Sequence, residues 1–75
     1  MASEYSQSIA DRVTKRLAAT DQTQTQLAAA LGVTQTTISR RCAGKNDWPI
    51  GDLPLVAGFF GITLAELTDP ASAAA

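Results

Sequence analysis

The side chains that could attract an anionic partner are concentrated in one segment of the chain. Residues 22–46 carry Arg40, Arg41 and Lys45 and contain no Asp or Glu, whereas residues 47–75 carry four acids and no base. The 75-residue chain as a whole has six Lys or Arg against seven Asp or Glu, for a net charge of −1. The positive field is therefore local, and it fits either a nucleic-acid partner or the chance clustering of three charges.

The residue types present exclude several kinds of catalytic site. The chain has no His and a single Cys, Cys42, so one chain cannot assemble a Cys/His zinc site, an internal disulfide or a Ser–His triad. No apolar run approaches the roughly 20 residues of a membrane span, and the N-terminus lacks the basic and apolar regions of a signal peptide. We therefore expect a soluble cytoplasmic protein that is not an enzyme and uses no metal or cofactor.

Apolar spacing predicts an amphipathic first helix that begins near Ser3 or Ser6 and fades at residues 19–20. An apolar residue recurs at every fourth position of this segment, at Tyr5, Ile9, Val13 and Leu17. The basic residues of the segment fall largely on other faces, which we expect to be solvated: Arg12, Lys15 and Arg16. No stretch of the sequence shows the sustained alternation that is typical of a strand.

Capping residues mark the next two helices. Thr23 and Gln26 fit a capping box that opens a second helix, and Gly32 ends it because Gly adopts the left-handed conformation without a Cβ penalty. Thr34 is placed to cap a third helix, which stops at Gly44.

Two further helices complete the predicted fold. Asp52 is the expected cap of a fourth helix over residues 53–60, and a second capping box at residues 63–66 opens a short fifth helix. We expect residues 1–69 to form one all-α domain, a compact bundle of about five short helices. Residues 70–75 are expected to be a frayed Ala-rich tail.

The link between the second and third helices fits a helix-turn-helix. Only Gly32, Val33 and Thr34 separate the two helices, and a turn of this length that contains Gly sets helices near 90–120° to each other. Ala28 is small enough to allow their close crossing, and Ile38 supplies a buried side chain to the shared core. The alternative is an ordinary helical corner in a bundle.

Residues 24–45, QTQLAAALGVTQTTISRRCAGK, resemble the helix-turn-helix of the lambda-repressor-like (Xre/Cro) family. The family pattern is approximately TQ-x-x-LA-x-x-LGV-[ST]-x-x-x-IS-x-x-x-x-GK. The positions that match it without a gap are Thr23, Gln24, Leu27, Ala28, Leu31, Gly32, Val33, Thr34, Ile38, Ser39, Gly44 and Lys45. Residues 55–67, LVAGFFGITLAEL, are similar to the segment that follows in the family, so the resemblance covers nearly the whole chain.

The resemblance implies that the third helix enters the major groove of double-stranded DNA with its N-terminal residues facing the bases. The side chains expected to read bases are Gln35, Thr36, Ser39 and Arg40. Gln35 can pair with adenine, Arg40 with guanine, and a threonine methyl can touch thymine. The alternative for Gln35 is a solvent-exposed side chain without a base partner, and for Arg40 a phosphate contact or a surface charge.

The resemblance also implies a set of phosphate contacts around this helix, at Thr23, Gln24, Thr25, Thr34, Arg41, Lys45 and Asn46. The first three lie at the N-terminus of the second helix, which suits an anion. The family often has an apolar residue at the position of Arg41. Here we expect Cys42 to take the buried place and Arg41 to reach a phosphate.

As a function, the resemblance implies a small transcriptional regulator, most like a phage or prophage Cro-like or immunity repressor that acts by promoter occupancy. It would bind an inverted-repeat operator as a homodimer in the bacterial cytoplasm or nucleoid. The candidates for its interface are Trp48, Phe59 and Leu64, and the alternative for each is a place in the core, which for Trp48 is equally expected. Two alternatives are the DNA-binding antitoxin of a toxin–antitoxin pair and a protein-interaction module, which the acidic C-terminal half would suit. RNA is not expected, because the aromatic residues lie outside the basic segment.

Overall fold

A computed structural model describes residues 2–68 of the chain. These residues form helices α1 (Glu4–Ala19), α2 (Gln24–Leu31), α3 (Gln35–Cys42), α4 (Leu53–Phe60) and α5 (Leu64–Thr68), with a 3-10 turn at Ile50–Asp52 before α4. The described residues contain no strand. The prediction of an all-α fold, in which the second and third helices form a helix-turn-helix, is confirmed. The predicted tail at residues 70–75 lies outside the described residues.

Local capping bonds explain where the first three helices begin. The Ser3 hydroxyl accepts the Ser6 N–H at 3.2 Å, and the Thr34 hydroxyl accepts the Thr37 N–H at 3.2 Å. At α2 the capping box is complete, because the Thr23 hydroxyl accepts the Gln26 N–H while the Gln26 side chain accepts the Thr23 N–H. Each cap satisfies backbone donors that the helix itself cannot pair, so these boundaries are set by neighbouring residues alone.

Two glycines end helices by their backbone conformation. Gly32 closes α2 with φ 71°, and Gly61 closes α4 with φ 68°. An added Cβ would meet no atom within 4 Å at either position. The reason for Gly at both positions is therefore the left-handed backbone itself, as predicted for Gly32, and not a lack of space.

The start of α4 differs from the prediction. Asp52 was expected to cap this helix, but its backbone is right-handed helical and its side chain makes no capping bond. Asp52 instead ends the 3-10 turn, where its N–H donates to the Pro49 carbonyl at 3.0 Å, and its carboxylate binds Arg41. The Asp52 side chain therefore forms a tertiary ion pair and does not cap α4.

One apolar core joins all five helices. Its buried side chains are Ile9, Val13, Leu17, Leu27, Ala28, Ile38, Trp48, Leu53, Val56, Ala57 and Leu67. The α2–α3 crossing works as expected, since Ala28 is 2% exposed and its carbonyl accepts the Val33 N–H at 3.0 Å. Tyr5, expected on the buried stripe of α1, is 48% exposed. None of the helices within residues 2–68 combines the length and apolar character needed to cross a membrane.

Candidate nucleic-acid interface

The α3 helix turns one side to the core and the other to solvent. Ile38 is fully buried and Cys42 packs half-buried against the core, where burial raises the pKa of its thiol. Cys42 thus takes the inward place that was predicted for it. The four side chains expected to read bases are all exposed: Gln35, Thr36, Ser39 and Arg40. Because the inner side of α3 packs on the core, its outer side presents these groups as one row.

The row on α3 meets the start of α2 in one open groove. Gln24 and Thr25 from α2 line it together with Gln35, Thr36, Ser39 and Arg40, and its volume is about 410 Å³. The structure therefore brings together all four expected base readers and two of the expected phosphate contacts. The lining has amide, hydroxyl and guanidinium groups and no carboxylate. Such groups hydrogen-bond to base edges and phosphate oxygens.

The start of α2 offers backbone donors to this groove. The first four N–H groups of a helix have no partner inside the helix, and here Thr23 caps only that of Gln26. The N–H groups of Gln24 and Thr25 therefore lie at the positive end of the helix dipole, beside the groove. The first turn of α2 contains no acidic residue that would repel an anion.

Two cations, one in the groove and one just after α3, are not neutralised. Arg40 in the groove and Lys45 after α3 are exposed, and neither forms an ion pair with any residue between 2 and 68. Lys45 and Asn46 do not line the groove; they lie in the loop that follows α3, where the Lys45 N–H donates to the Arg40 carbonyl at 3.0 Å. This bond fixes the loop to the end of α3.

The loop after α3 is anchored to the start of α1 by Asp47. Its carboxylate accepts the Ser3 N–H at 2.9 Å, and the Trp48 N–H donates to the buried Ser6 hydroxyl at 2.8 Å. The Ser3 N–H, and after it the Ser6 hydroxyl, hold the pKa of Asp47 below its ordinary value. No local sequence pattern indicates this anchor, because its partners lie more than 40 residues apart.

Asp47 should stabilise the fold near neutral pH and lose that effect in acid. Its folded pKa lies below the unfolded value of about 3.9, so the stabilisation is present above that value and disappears as the pH falls through the folded pKa. The free energy of unfolding of the wild type should exceed that of Asp47→Asn at pH 7. This gap should narrow below about pH 4. A gap that stays constant down to about pH 2.5 would contradict the assignment.

Arg41 was predicted to point outward, but its side chain turns inward. Its guanidinium binds the Asp52 carboxylate at 2.9 Å, its side chain is only 11% exposed, and it lies 5.8 Å from the centre of the Trp48 ring. The prediction that Arg41 contacts a phosphate is wrong, because its guanidinium is already bound in an inward ion pair. Of the remaining expected phosphate contacts, Thr23 and Thr34 are exposed and use their hydroxyls to cap α2 and α3.

The expected interface residues divide into three cases. Trp48 is 3% exposed and belongs to the core, so of its two expected places the core is the observed one and the interface is excluded. Phe59 is half-buried, packs against the core and meets Phe60 edge to face at 5.1 Å. Leu64 is 44% exposed and stays available to a partner. Two further apolar side chains were not predicted to be exposed: Ile50 is 80% exposed and Leu55 is 50% exposed. The only sequence signal for the exposure of Ile50 is its place directly after the Pro-containing loop.

Comparison with known proteins places the chain in a family. No curated protein and no solved structure matches it significantly. The model of the helix-turn-helix family matches residues 21–67, a range that begins just before α2 and ends within α5. The match covers more than half of the chain, which therefore belongs to the helix-turn-helix family of Xre/lambda-repressor-like DNA-binding regulators.

Proposed function

We propose that this protein is a sequence-specific regulator that binds double-stranded DNA and represses transcription by occupying a promoter. The observation that carries the proposal is the acid-free groove in which Gln35, Thr36, Ser39 and Arg40 stand beside the start of α2. Residues 1–69 act as one DNA-binding domain in this proposal. Its place of action is the bacterial cytoplasm or nucleoid, and its type is that of a phage or prophage Cro-like repressor.

Each part of the groove has a role in this proposal. The outer side of α3 enters the major groove, where the Gln35 amide pairs with adenine and Arg40 with guanine. The start of α2 holds a phosphate through the N–H groups of Gln24 and Thr25. Lys45 and Asn46 hold a second phosphate from the loop after α3. The base contacts give specificity, whereas the phosphate contacts set the position of the domain on the duplex.

Binding as a homodimer on an inverted repeat follows from how few contacts one chain offers. With Arg41 turned inward, Arg40 and Lys45 are the only side-chain cations of segment 22–46 left to face the duplex. The affinity of one chain is therefore modest, and a second chain on the neighbouring half-site multiplies it. Exposed apolar side chains outside the groove, at Ile50, Leu55 and Leu64, supply a surface for the second chain.

Lys45→Ala should weaken specific and non-specific DNA to a similar degree. A phosphate contact carries no sequence information, and each one lost reduces the slope of log affinity against log salt by about one. Lys15→Ala is the matched control, because Lys15 is an exposed lysine whose charge is already offset by Asp11 at 3.0 Å. A slope for Lys45→Ala that equals both wild type and Lys15→Ala would remove Lys45 from the phosphate contacts.

The experiment that tests the function is selection of bound duplexes from a random-sequence DNA pool at near-physiological salt, followed by stoichiometry on the best duplex. An enriched inverted repeat that binds two chains supports the repressor-like dimer. A single enriched half-site that binds one chain would contradict the dimer and favour a subunit, such as an antitoxin, that needs a partner. No enrichment by the folded protein would overturn the proposal in favour of protein interaction.

A further inference from the structure

The inward ion pair of Arg41 lies at the junction between α3 and α4. Arg41 is in the last turn of α3, and Asp52 is the final residue before α4. Their side chains are 11% and 26% exposed, so water screens this pair less than an ordinary surface pair. The guanidinium also lies 5.8 Å from the centre of the Trp48 ring, within the range of a cation–π contact. One side chain thus joins three successive parts of the chain.

The α3 helix has few buried side chains that could hold its orientation. It has eight residues, and Ile38 is its single buried side chain. In contrast, α1 buries six residues along its length. A single buried residue fixes the distance of a helix from the core better than it fixes rotation about the helix axis. Cys42 packs only half-buried against the core, and Arg41, one turn after Ile38 on the inner side, adds an ion-paired point of attachment to α3.

We infer that Arg41 is a positioning residue, which sets the orientation of the exposed row on α3 by binding Asp52 and Trp48. This inference rests on the proposed function for its effect on DNA. The two adjacent arginines then have separate tasks. Arg40 faces the groove and contacts DNA, whereas Arg41 holds the helix that carries Arg40. Because the Asp52 carboxylate offsets its charge, Arg41 adds little to the attraction of phosphates.

The test compares Arg41→Gln, Asp52→Asn and the double variant. The readout is the ratio of affinities for the selected duplex and for random duplex, since a change in net charge alters both affinities together. Each single variant should lower this ratio roughly tenfold. The ratio for the double variant should be no lower than that of the more severely affected single variant, as for contacting residues that act as a unit. The salt slope should stay at the wild-type value. Arg41→Lys, which keeps the charge but loses the planar fork, should also lower the ratio.

A phosphate contact by Arg41 would give the opposite pattern. Arg41→Gln would then reduce the salt slope by about one, Arg41→Lys would retain it, and Asp52→Asn would leave the ratio intact while freeing the guanidinium for DNA. That pattern would overturn the inference. If Arg41→Gln does not fold, Asp52→Asn carries the test, because it removes the charge pairing without shortening a side chain.

A measurement without DNA separates this inference from the proposed function. Amide hydrogen exchange should become faster in α3 than in α1 when either member of the pair is changed, and the emission of Trp48, the single tryptophan, should shift. Unchanged exchange in α3 overturns the positioning role even if DNA binds normally. Failure of the wild type to bind any duplex, with exchange in α3 still dependent on the pair, would overturn the DNA function and leave the anchoring of α3 established.

Discussion

Replacing Gln35 with alanine should leave the protein folded and abolish discrimination at one base pair of the bound site. Gln35 is exposed in the first turn of α3 and lines the groove, and no core contact depends on it. Its amide carries both a donor and an acceptor, which match N6 and N7 of adenine. Loss of such a bidentate pair weakens binding to the duplex with the preferred base by roughly 1–3 kcal/mol and leaves binding to duplexes with the other bases unchanged.

The measurement is the affinity of wild type and Gln35→Ala for the selected duplex and its single-base variants. For wild type, one base change should weaken binding about 5- to 150-fold, whereas for Gln35→Ala the same change should have almost no effect. Lys45→Ala provides the contrast, since this substitution should weaken binding to every single-base variant of the duplex by the same factor. Equal discrimination by wild type and Gln35→Ala at every position would exclude Gln35 as a base reader.

A second substitution at the same position tests the chemistry more directly. Gln35→Glu keeps the length of the side chain but removes its donor, so it loses the match to adenine and gains one to the N4 donor of cytosine. The preferred base should therefore change instead of merely disappearing. If Gln35→Ala and Gln35→Glu gave identical profiles, the effect at position 35 would come from the position of α3 and not from an amide–base pair.

The parts of this fold that were predictable are those set by neighbouring residues. The ends of α2 follow from Thr23, Gln26 and Gly32, because a capping box and a left-handed glycine use groups at most a few residues away. The crossing of α2 and α3 followed in the same way from a short turn and the small Ala28. The exposure of Gln35 and Arg40 then followed from helical periodicity once Ile38 was placed inward.

The parts that were not predictable depend on partners distant in sequence. Asp52 has the residue type of a helix cap, and nothing nearby indicates that Arg41, eleven residues earlier, competes for it. Trp48 lies in a loop between Gly44 and Pro49, and loops usually run over the surface, so no local signal decided between core packing and an interface. The charge count of segment 22–46 likewise overstated the positive face, since one of its three cations faces inward.

Arg12 was also expected on a solvated face but is buried. Its replacement should lower the free energy of unfolding far more than replacement of the nearby Lys15. Arg12 is 8% exposed, and its guanidinium donates to the Thr68 carbonyl at 2.9 Å and to the Leu67 carbonyl at 3.5 Å. These carbonyls end α5, where helices leave acceptors unpaired and the dipole favours a cation. Arg12→Met keeps much of the apolar stem but removes the donors, so the carbonyls lose a charged hydrogen-bond partner. We expect a loss of about 2 kcal/mol in the free energy of unfolding.

Urea denaturation of Arg12→Met and Lys15→Met, with hydrogen exchange in α5, measures this difference. Lys15 is 65% exposed and pairs with Asp11 one turn earlier, an arrangement that contributes only about 0.3–0.5 kcal/mol. The partners of Arg12 are backbone carbonyls and not a carboxylate, so the loss in Arg12→Met should persist in acid, unlike that in Asp47→Asn. Exchange should become faster in α5, the helix that carries the exposed Leu64. Equal losses for the two variants would show that the Arg12 hydrogen bonds do not hold α5 on the core.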